Sequence, residues 1–287
     1  MTIRESEKLV HHVWKRCKKH FLENSPSQRS HSWEQADEDS LRALNEYFHG
    51  SAYRFAMLVS LSKKYLPHHA KILDAGSGHG VLSLALKDAG FDAVASDLHQ
   101  GLEIFKKESI PYFQWHLEAH EAPFPDNSFD AIILSQTIEH FTFSPLHPLQ
   151  ELIRILRPNG ILIIDAPNIS CFRNVSRLIR GKSVHWEFKK HYLEQVPETI
   201  EGIPYYDRHN HEYSREDLMD IADFFNLTVE EIDYYSSCNT KKRGKVAILV
   251  ARVRDVIKHW RKGIYAVYRL PNQNEQAALN QKNNELQ

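Results

Sequence analysis

The stretch from residue 71 to residue 90 constrains the fold more than any other part of the sequence. A short apolar run, Lys71 to Ala75, leads into glycines 76, 78 and 80 and then into a helix-like segment that stops at Gly90. An apolar run, a glycine-rich turn and a helix in this order indicate a strand, a tight turn and a helix. We therefore expect an α/β sheet to begin here.

The alternation of strands and helices continues along the chain. Strand-like runs occupy 93–97, 112–117, 129–134, 161–165 and 228–235, and helix-like runs occupy 102–107 and 146–156, with a turn at 157–160. Parallel strands require crossover connections, which are usually helices. The sequence therefore predicts a Rossmann-like, doubly wound α/β fold with a mostly parallel sheet.

Other segments flank or interrupt this sheet-forming region, predicted over 67–240. Residues 1–66 carry apolar residues at helical spacing and predict a helical N-terminal cap. A polar, aromatic and histidine-containing stretch, 169–213, predicts an insertion after the fifth strand, and Ser214 with Asp217 predicts a capped helix directly after it. The Asn- and Gln-rich tail, 272–287, is typical of disordered segments.

A strongly basic segment lies near the end of the chain. From Lys241 to Arg269 there are ten Lys and Arg residues against one acidic residue, and apolar residues recur at helical spacing. This pattern predicts a basic amphipathic helix over 241–271, which either binds an anionic membrane or an acidic partner or packs its apolar face on the domain. Residues 246–253 alternatively supply the seventh strand that is usual in this fold.

Charge and cysteine content narrow the functional classes. The chain of 287 residues has 36 Lys and Arg against 37 Asp and Glu, and this balance argues against a nucleic-acid partner. Its three cysteines are far apart, without the spacing of a zinc or disulfide framework, and no stretch has the length of a membrane span or signal core. We expect a cytoplasmic protein, with peripheral attachment at the inner membrane face as the alternative.

The glycine spacing distinguishes between cofactors. A dinucleotide fingerprint requires its third glycine at position 81, which is Val81, whereas Asp74 precedes the first glycine by two positions. S-adenosylmethionine (SAM) has no phosphates and carries positive charge, which suits a nearby carboxylate. Asp97 ends the second predicted strand, where an acidic side chain accepts hydrogen bonds from ribose hydroxyls. The pattern favours SAM over NAD.

The sequence resembles the class I SAM-dependent methyltransferases, in particular the type 11 methyltransferase domain. The resemblance covers about residues 71 to 168. It lies in four motifs in the family's order: LDAGSGHG, VASDL, EAPFPDNSFDAIILSQTIEHF and ILRPNGILIIDAPN.

The resemblance implies positions for the cofactor-binding residues. The methionine end of SAM would lie at Asp74, Gly76, Ser77, Gly78 and Gly80. Asp97 would bind the ribose and Leu98 would pack on the adenine. Glu118 and Ala119 stand where the family usually has an Asp-Ala pair, so Glu118 replaces Asp near the adenine amine. Ser135, with Gln136, would line the pocket at the end of the fourth strand.

Candidate catalytic residues lie in two segments. His140 follows the fourth strand, where open α/β sheets place their ligands, and is the first candidate for a general base. A structural histidine behind the SAM loop is an equal interpretation, with Glu139 as its partner. In the insertion, Arg208, His209, His211 and Tyr213 are candidates to bind or deprotonate the acceptor, with Arg208 and Tyr213 as substrate residues. The histidines there lack a compact metal-ligand spacing, and no metal is expected.

Together these features predict O-methylation of a small molecule or a glycan, with histidine-assisted removal of the acceptor proton. A quinone or lipid acceptor at a membrane surface is the close alternative. A non-catalytic SAM-binding protein is a further alternative, against which the intact Asp74, Asp97 and His140 argue.

Overall fold

The computed structural model describes residues 1–23, 38–185, 187–200, 202–206, 208–236 and 256–272. These residues divide into two compact units. The first contains Met1–His116, and the second contains Leu117–Tyr235 with the described residues from 256 onward.

The first unit is built from helices and three parallel strands. Its elements are α1 (Ile3–Glu23), α2 (Glu38–Tyr65), β1 (Lys71–Ala75), α3 (Val81–Asp88), β2 (Asp92–Asp97), α4 (Glu103–Lys107) and β3 (Tyr112–Gln114). Strand β1 pairs in parallel with β2, and β2 pairs in parallel with β3. The strand, turn and helix expected between residues 71 and 90 are therefore present.

Helix α1 packs on α2 and α3 through apolar and charged contacts. Trp14 stacks on Phe48 with ring centroids 4.4 Å apart, and Val10 and Val13 are fully buried. Arg16 binds the carboxylate of Asp88 through two guanidinium nitrogens at 2.9 and 3.1 Å. Burial of the apolar face supplies most of the stabilisation, and the ion pair fixes the orientation.

The second unit contains the remaining strands and helices. Its elements are β4 (Phe129–Ser135), α5 (Leu146–Ile155), β5 (Leu156–Pro167), α6 (Phe172–Ile179), β6 (Glu198–Ile200), β7 (Ile203–Tyr205), α7 (Arg215–Phe224), β8 (Thr228–Tyr235) and β9 (Gly263–Arg269). A short 3₁₀ turn, Ile138–His140, follows β4. Strands β6 and β7 form a separate antiparallel hairpin, which with α6 lies inside the predicted insertion. Ser214 and Asp217 form the expected capping box of α7.

The strand order is β3-β2-β1 in the first unit and β4-β5-β9-β8 in the second unit. Strands β4 and β5 are parallel, whereas β9 is antiparallel to both β5 and β8. The centres of β4 and β5 are fully buried, as at Ile132, Ile133 and Ile163, which explains their continuous apolar sequences. The expectation of a mostly parallel, Rossmann-like sheet is confirmed.

The prediction of a helix through residue 271 is wrong at its end. Residues 263–269 form β9, and all but the last are buried. Because both faces of this strand are covered, its apolar residues are consecutive and do not alternate. Some of them coincide with helical spacing, and for this reason the sequence pattern predicts a helix. The seventh strand is therefore β9, whereas 246–253 lies outside the described residues.

Strand β5 also begins earlier than expected. The sequence predicts a turn at 157–160, but these residues continue the strand from Leu156. Its pairing with β4 shifts between Phe129 and Ala131, which are opposite Leu156 and Ile161. The irregularity accommodates Asn159, whose φ of 64° lies in the left-handed region.

Two predictions concern residues outside the described ranges, namely the first half of the basic segment, 241–255, and the tail from 273. In the part of the chain that is described, no helix combines the length and apolar character needed to cross a membrane.

Candidate active site

The turn after β1 is shaped by three glycines in left-handed conformations. Gly76, Gly78 and Gly80 have φ angles of 79°, 48° and 74°. The amides of Gly76 and Ser77 both donate to the carbonyl of Ser96 at 2.9 Å, which ties the turn to β2. The turn then leads directly into α3, so its backbone lies at a helix N-terminus.

Gly78 and Gly80 are required for different reasons. A Cβ atom added to Gly78 would meet nothing within 4 Å, so the backbone there faces open space. A Cβ atom added to Gly80 would lie 2.9 Å from two ring carbons of Phe105. Gly80 therefore allows close packing inside the unit, whereas Gly78 leaves room for a ligand to approach the main chain.

Asp97 lies at the end of β2 beside the open side of the turn. One of its carboxylate oxygens accepts a hydrogen bond from the amide of Gly78 at 2.7 Å. The side chain is half-buried. The predicted ribose acceptor is therefore fixed next to the space that Gly78 leaves open.

Asp74 lies beneath the turn. Its side chain is 1% exposed, and the hydroxyl of Ser83 in α3 donates to it at 2.5 Å. Burial raises the pKa of this carboxyl to about 7, and the charge of Asp97 acts in the same direction. The structure thus places Asp74 where it anchors α3 to the turn, below the residues that face a ligand.

The first unit fits SAM by the open space at Gly78 and the fixed carboxylate of Asp97. Leu98 is half-buried directly after Asp97, and its carbonyl accepts a hydrogen bond from Gln114. Ser77 is buried. The glycine turn allows the close backbone approach that the cofactor requires, and Asp97 stays the predicted ribose acceptor.

Glu118 belongs to the second unit and contacts the loop that follows the 3₁₀ turn. Its carboxylate accepts a hydrogen bond from the amide of Phe143 at 2.8 Å. Burial raises the pKa of this carboxyl. Glu118 and Ala119 are both half-buried. The residue that the resemblance assigns to adenine therefore also fixes the chain just after His140.

The end of β4 leads into a buried polar group. Ser135 is buried, and Gln136 has a φ of 49°. The carboxylate of Asp165, at the equivalent position on β5, accepts hydrogen bonds from Gln136 at 3.2 Å and from the hydroxyl of Tyr235 at 2.7 Å. This network fixes the backbone from which the 3₁₀ turn starts.

His140 ends the 3₁₀ turn with a defined ring orientation. Its Nδ1 atom lies 3.1 Å from the carbonyl oxygen of Arg208. Because a carbonyl oxygen only accepts hydrogen bonds, Nδ1 carries the proton and Nε2 has the lone pair. The ring is half-buried. His140 is thereby set up to accept a proton or to bind a metal through Nε2.

Asn210 fastens the insertion to the 3₁₀ turn. Its backbone amide donates to the carbonyl of Glu139 at 2.7 Å, and its side-chain amide donates to the carbonyl of His140 at 3.0 Å. Its side-chain oxygen accepts from Arg208 at 3.0 Å. Residues 208–210 are thus held against the turn by several hydrogen bonds.

His209 joins His140 and Glu139 in one cluster. The two imidazole rings meet edge to face with centroids 5.0 Å apart. Nε2 of His209 lies 4.0 Å from Oε1 of Glu139, whose side chain is fully buried, and Nδ1 lies 3.7 Å from Oε1 of Glu212. One nitrogen of each histidine and one oxygen of Glu139 lie within 4.8 Å of one another, a grouping able to hold a metal ion.

The other predicted insertion residues lie elsewhere. The side chain of His211 is 56% exposed and faces Asp217 at 3.6 Å. The guanidinium of Arg208 lies over the rings of Tyr192 and Tyr206, at 4.4 and 4.3 Å from their centroids. Tyr213 is 5% exposed. Arg208 and Tyr213 therefore support the insertion internally, and of the three candidate catalytic histidines only His140 and His209 come together.

Sequence reasoning did not single out Asn210 and Glu212, and it treated Glu139 only as a partner of His140. Asn210 and Glu212 alternate with the histidines of the segment His209-Asn-His-Glu212, and this was the available signal. Asn210 contacts Glu139 and His140, about 70 positions earlier in the chain, and Glu212 contacts Asn174, 38 positions earlier; no local pattern reveals either contact.

Comparison with known proteins identifies a methyltransferase domain in this chain. A family model described as a methyltransferase domain matches residues 44–232. The demethylmenaquinone methyltransferase of Paenarthrobacter aurescens is 34% identical over 109 residues, which are 37% of this chain and 43% of that protein. The biotin biosynthesis bifunctional protein BioHC of Cellvibrio japonicus is 34% identical over 101 residues, which are 33% of this chain and 20% of that protein. The matches thus span less than half the length of these relatives.

Solved structures share the fold. A SAM-dependent methyltransferase from Archaeoglobus fulgidus has a TM-score of 0.51 at 15% identity, over 81% of this chain and 100% of that chain. The PH0226 protein of Pyrococcus horikoshii has a TM-score of 0.50 at 20% identity, over 76% and 90% of the two chains.

Proposed function

Because this chain belongs to the methyltransferase-domain family of SAM-dependent enzymes, we propose that it methylates a hydroxyl oxygen of a small molecule or a glycan. The observation that supports this most is the contact of 3.1 Å between Nδ1 of His140 and the carbonyl oxygen of Arg208. The Nδ1 proton of His140 is directed to the Arg208 carbonyl, which leaves Nε2 as a proton acceptor at the end of β4.

Different residues of the chain bind the cofactor and act on the acceptor. Bound SAM supplies a methyl group that its sulfonium already activates. Gly78 leaves space for it, and Asp97 accepts hydrogen bonds from its ribose. The protein then mainly aligns the acceptor oxygen and removes its proton.

His140 takes the acceptor proton in this proposal. The buried carboxylate of Glu139 lies in the same cluster and favours the positive charge that His140 acquires. Asn210 keeps the insertion in place and so maintains the hydrogen bond from His140 to Arg208. His209 lies edge-on to His140 and restricts its rotation.

The aromatic side chains of the insertion support a glycan or another ring-shaped acceptor. Phe188 is 62% exposed and stacks on Tyr192 with ring centroids 5.5 Å apart. Exposed aromatic faces beside polar groups are typical of sites that bind small molecules.

Methyl-labelled SAM tests the proposal directly. The full chain is incubated with ¹³C-methyl SAM and fractionated host extract, and the labelled product is identified by NMR and mass spectrometry. We expect an O-methyl product, and we expect His140→Ala to bind SAM normally in calorimetry while losing turnover. An N-methyl or C-methyl product, or full turnover by His140→Ala, would contradict the proposal.

A quinone or lipid acceptor is the second candidate. The insertion exposes large apolar side chains, with Ile179 81% and Val196 84% exposed, and Arg173 and Arg180 are exposed nearby on and beside α6. Apolar residues next to cations suit an anionic membrane surface. The demethylmenaquinone methyltransferase match points the same way.

Vesicle flotation separates the two candidates. A lipid-phase acceptor requires the full chain to float with vesicles that contain anionic phospholipid and not with phosphatidylcholine vesicles. Ile179→Ser should weaken that binding, with Asp220→Ala on the exposed surface of α7 as the control. Absence of binding to both vesicle types would favour the small-molecule or glycan acceptor.

A further inference from the structure

The cluster of Glu139, His140 and His209 has the composition of a metal site. We propose that these three residues bind one first-row transition-metal dication, such as Zn²⁺, through one Glu139 oxygen and Nε2 of each histidine. Two imidazole nitrogens and one carboxylate oxygen form a set that such cations prefer, whereas Mg²⁺ and Ca²⁺ prefer oxygen ligands throughout.

The strongest support is the orientation of the two imidazole rings. Nδ1 of His140 donates to the Arg208 carbonyl at 3.1 Å, and Nδ1 of His209 faces the Glu212 carboxylate at 3.7 Å. Metal-binding histidines characteristically direct their second nitrogen at a carbonyl or a carboxylate. Nε2 of His209 lies 4.0 Å from Oε1 of Glu139, and the proposed site uses Nε2 of both rings.

Glu212 is itself held in position. Its second carboxylate oxygen accepts a hydrogen bond from the side-chain amide of Asn174 at 2.5 Å, and Asn174 is fully buried. A carboxylate that orients a histidine is usually fixed in this way by its own partners. The arrangement thus extends from the three ligands to a supporting layer.

Burial and distances are consistent with a bound cation. The side chain of Glu139 is fully buried, and a bound cation would stabilise an ionised carboxylate at such a position. The three ligand atoms lie within 4.8 Å of one another. Ligands at about 2.1 Å from Zn²⁺ are about 3.4 Å apart in a tetrahedral site. Side-chain rotations that move the ligand atoms by about 1 Å therefore complete the coordination.

Three protein ligands leave a coordination position for the acceptor, as in catalytic sites. This part of the inference rests on the proposed function. Binding of the acceptor hydroxyl to the metal lowers the pKa of that hydroxyl, and its proton passes to solvent water without any oxidant or reductant. In the metal-loaded protein His140 is then a ligand, and it accepts a proton only in the metal-free protein.

Metal binding is measured without SAM or an acceptor. The full chain is freed of metal with a chelator and titrated with Zn²⁺ in competition with a chromophoric indicator, and Co²⁺ is added separately for its visible absorption. We expect one equivalent of Zn²⁺ and a Co²⁺ spectrum of low coordination number. His209→Ala and Glu139→Gln should each weaken Zn²⁺ binding at least 100-fold, and Glu212→Gln should weaken it about 10- to 100-fold.

His211→Ala is the matched control, because His211 lies two positions from His209 and is exposed outside the cluster. It should bind Zn²⁺ like the unmodified chain. Zn²⁺ should also raise the thermal unfolding midpoint of the unmodified chain and of His211→Ala, but not of His209→Ala. If His209→Ala does not fold, Zn²⁺ binding by Glu212→Gln and the Co²⁺ spectrum of the unmodified chain decide whether the cluster binds a metal.

Each outcome is informative. Failure of the unmodified chain to bind micromolar Zn²⁺ or Co²⁺ overturns the inference, as does unweakened binding by folded His209→Ala. A metal-free chain that forms an O-methyl product at the full rate leaves the proposed function intact and overturns the catalytic role of the metal. Stoichiometric Zn²⁺ binding together with an N-methyl product supports the metal site and overturns the proposed O-methylation.

Discussion

His140 and Arg208 are 68 positions apart in the sequence, yet the Nδ1 atom of His140 lies 3.1 Å from the carbonyl oxygen of Arg208. This hydrogen bond fixes the ring tautomer on which both the proposed proton transfer and the proposed metal site depend. It is a backbone contact, so the identity of the Arg208 side chain matters less than the position of the segment. That position is set largely by Asn210.

Asn210→Ala should therefore impair turnover without affecting the cofactor. The substitution removes the side-chain hydrogen bonds to the His140 carbonyl and from Arg208. At about 1 kcal/mol for each bond, we expect a loss of about 2 kcal/mol in the free energy of unfolding. Urea unfolding, SAM calorimetry and kcat measure the three quantities, with Asp220→Ala as the control. Unchanged kcat in folded Asn210→Ala would show that the segment does not position His140.

The parts of this site that could be predicted from sequence are those that depend on neighbouring residues. The glycine turn and Asp97 follow from one βα unit and the strand after it, so spacing alone locates them. The meeting of His140 with His209 depends on how the insertion folds back, which periodicity does not encode. Strand β9 is not predicted from the sequence for a related reason, since complete burial removes the alternation that marks a strand.

The glycines of the turn should separate folding from cofactor binding. Gly78→Ala introduces a Cβ into open space at a φ of 48°, which costs about 1 to 2 kcal/mol of unfolding free energy. Because the methyl group occupies the expected cofactor side, we expect the Kd for SAM to rise at least about tenfold.

Gly80→Ala is the comparison for Gly78→Ala. Its Cβ would lie 2.9 Å from the ring of Phe105, so it should destabilise the fold more than Gly78→Ala does. The double variant Gly80→Ala with Phe105→Leu should recover part of that loss, which urea unfolding measures. Equal effects of both glycine variants on SAM affinity and on stability would contradict the separate roles.

Asp74 should make the fold less stable as the pH rises through the neutral range. Burial, with the charge of Asp97, raises its pKa to about 7, and hydrogen bonding by Ser83 opposes the shift. Between the unfolded pKa near 4 and the folded value, the native state binds more protons than the unfolded state, so stability falls with increasing pH. From pH 5 to pH 8 the expected loss is about 2 to 3 kcal/mol.

The matched variant for this test is Asp74→Asn, which cannot ionise. In urea unfolding at pH 5, 6, 7 and 8, the stability of the unmodified chain should fall relative to that of the variant as the pH rises. Parallel stability curves for the two proteins would mean that Asp74 has an ordinary pKa in the folded chain.

Glu118 offers a test of two roles for one carboxyl group, namely fixing the loop after His140 and binding the adenine amine of SAM. Its carboxylate accepts a hydrogen bond from the Phe143 amide at 2.8 Å, and burial raises its pKa. Removal of the charge should therefore cost little free energy of unfolding. A glutamine carbonyl also accepts hydrogen bonds. Glu118→Gln should therefore keep SAM affinity and kcat within a few-fold of the unmodified chain, whereas Glu118→Ala should lower kcat because the Phe143 amide loses its acceptor. Calorimetry with SAM and initial rates distinguish the two roles. A strong loss of SAM affinity in Glu118→Gln would instead mean that the negative charge of Glu118 contributes to SAM binding.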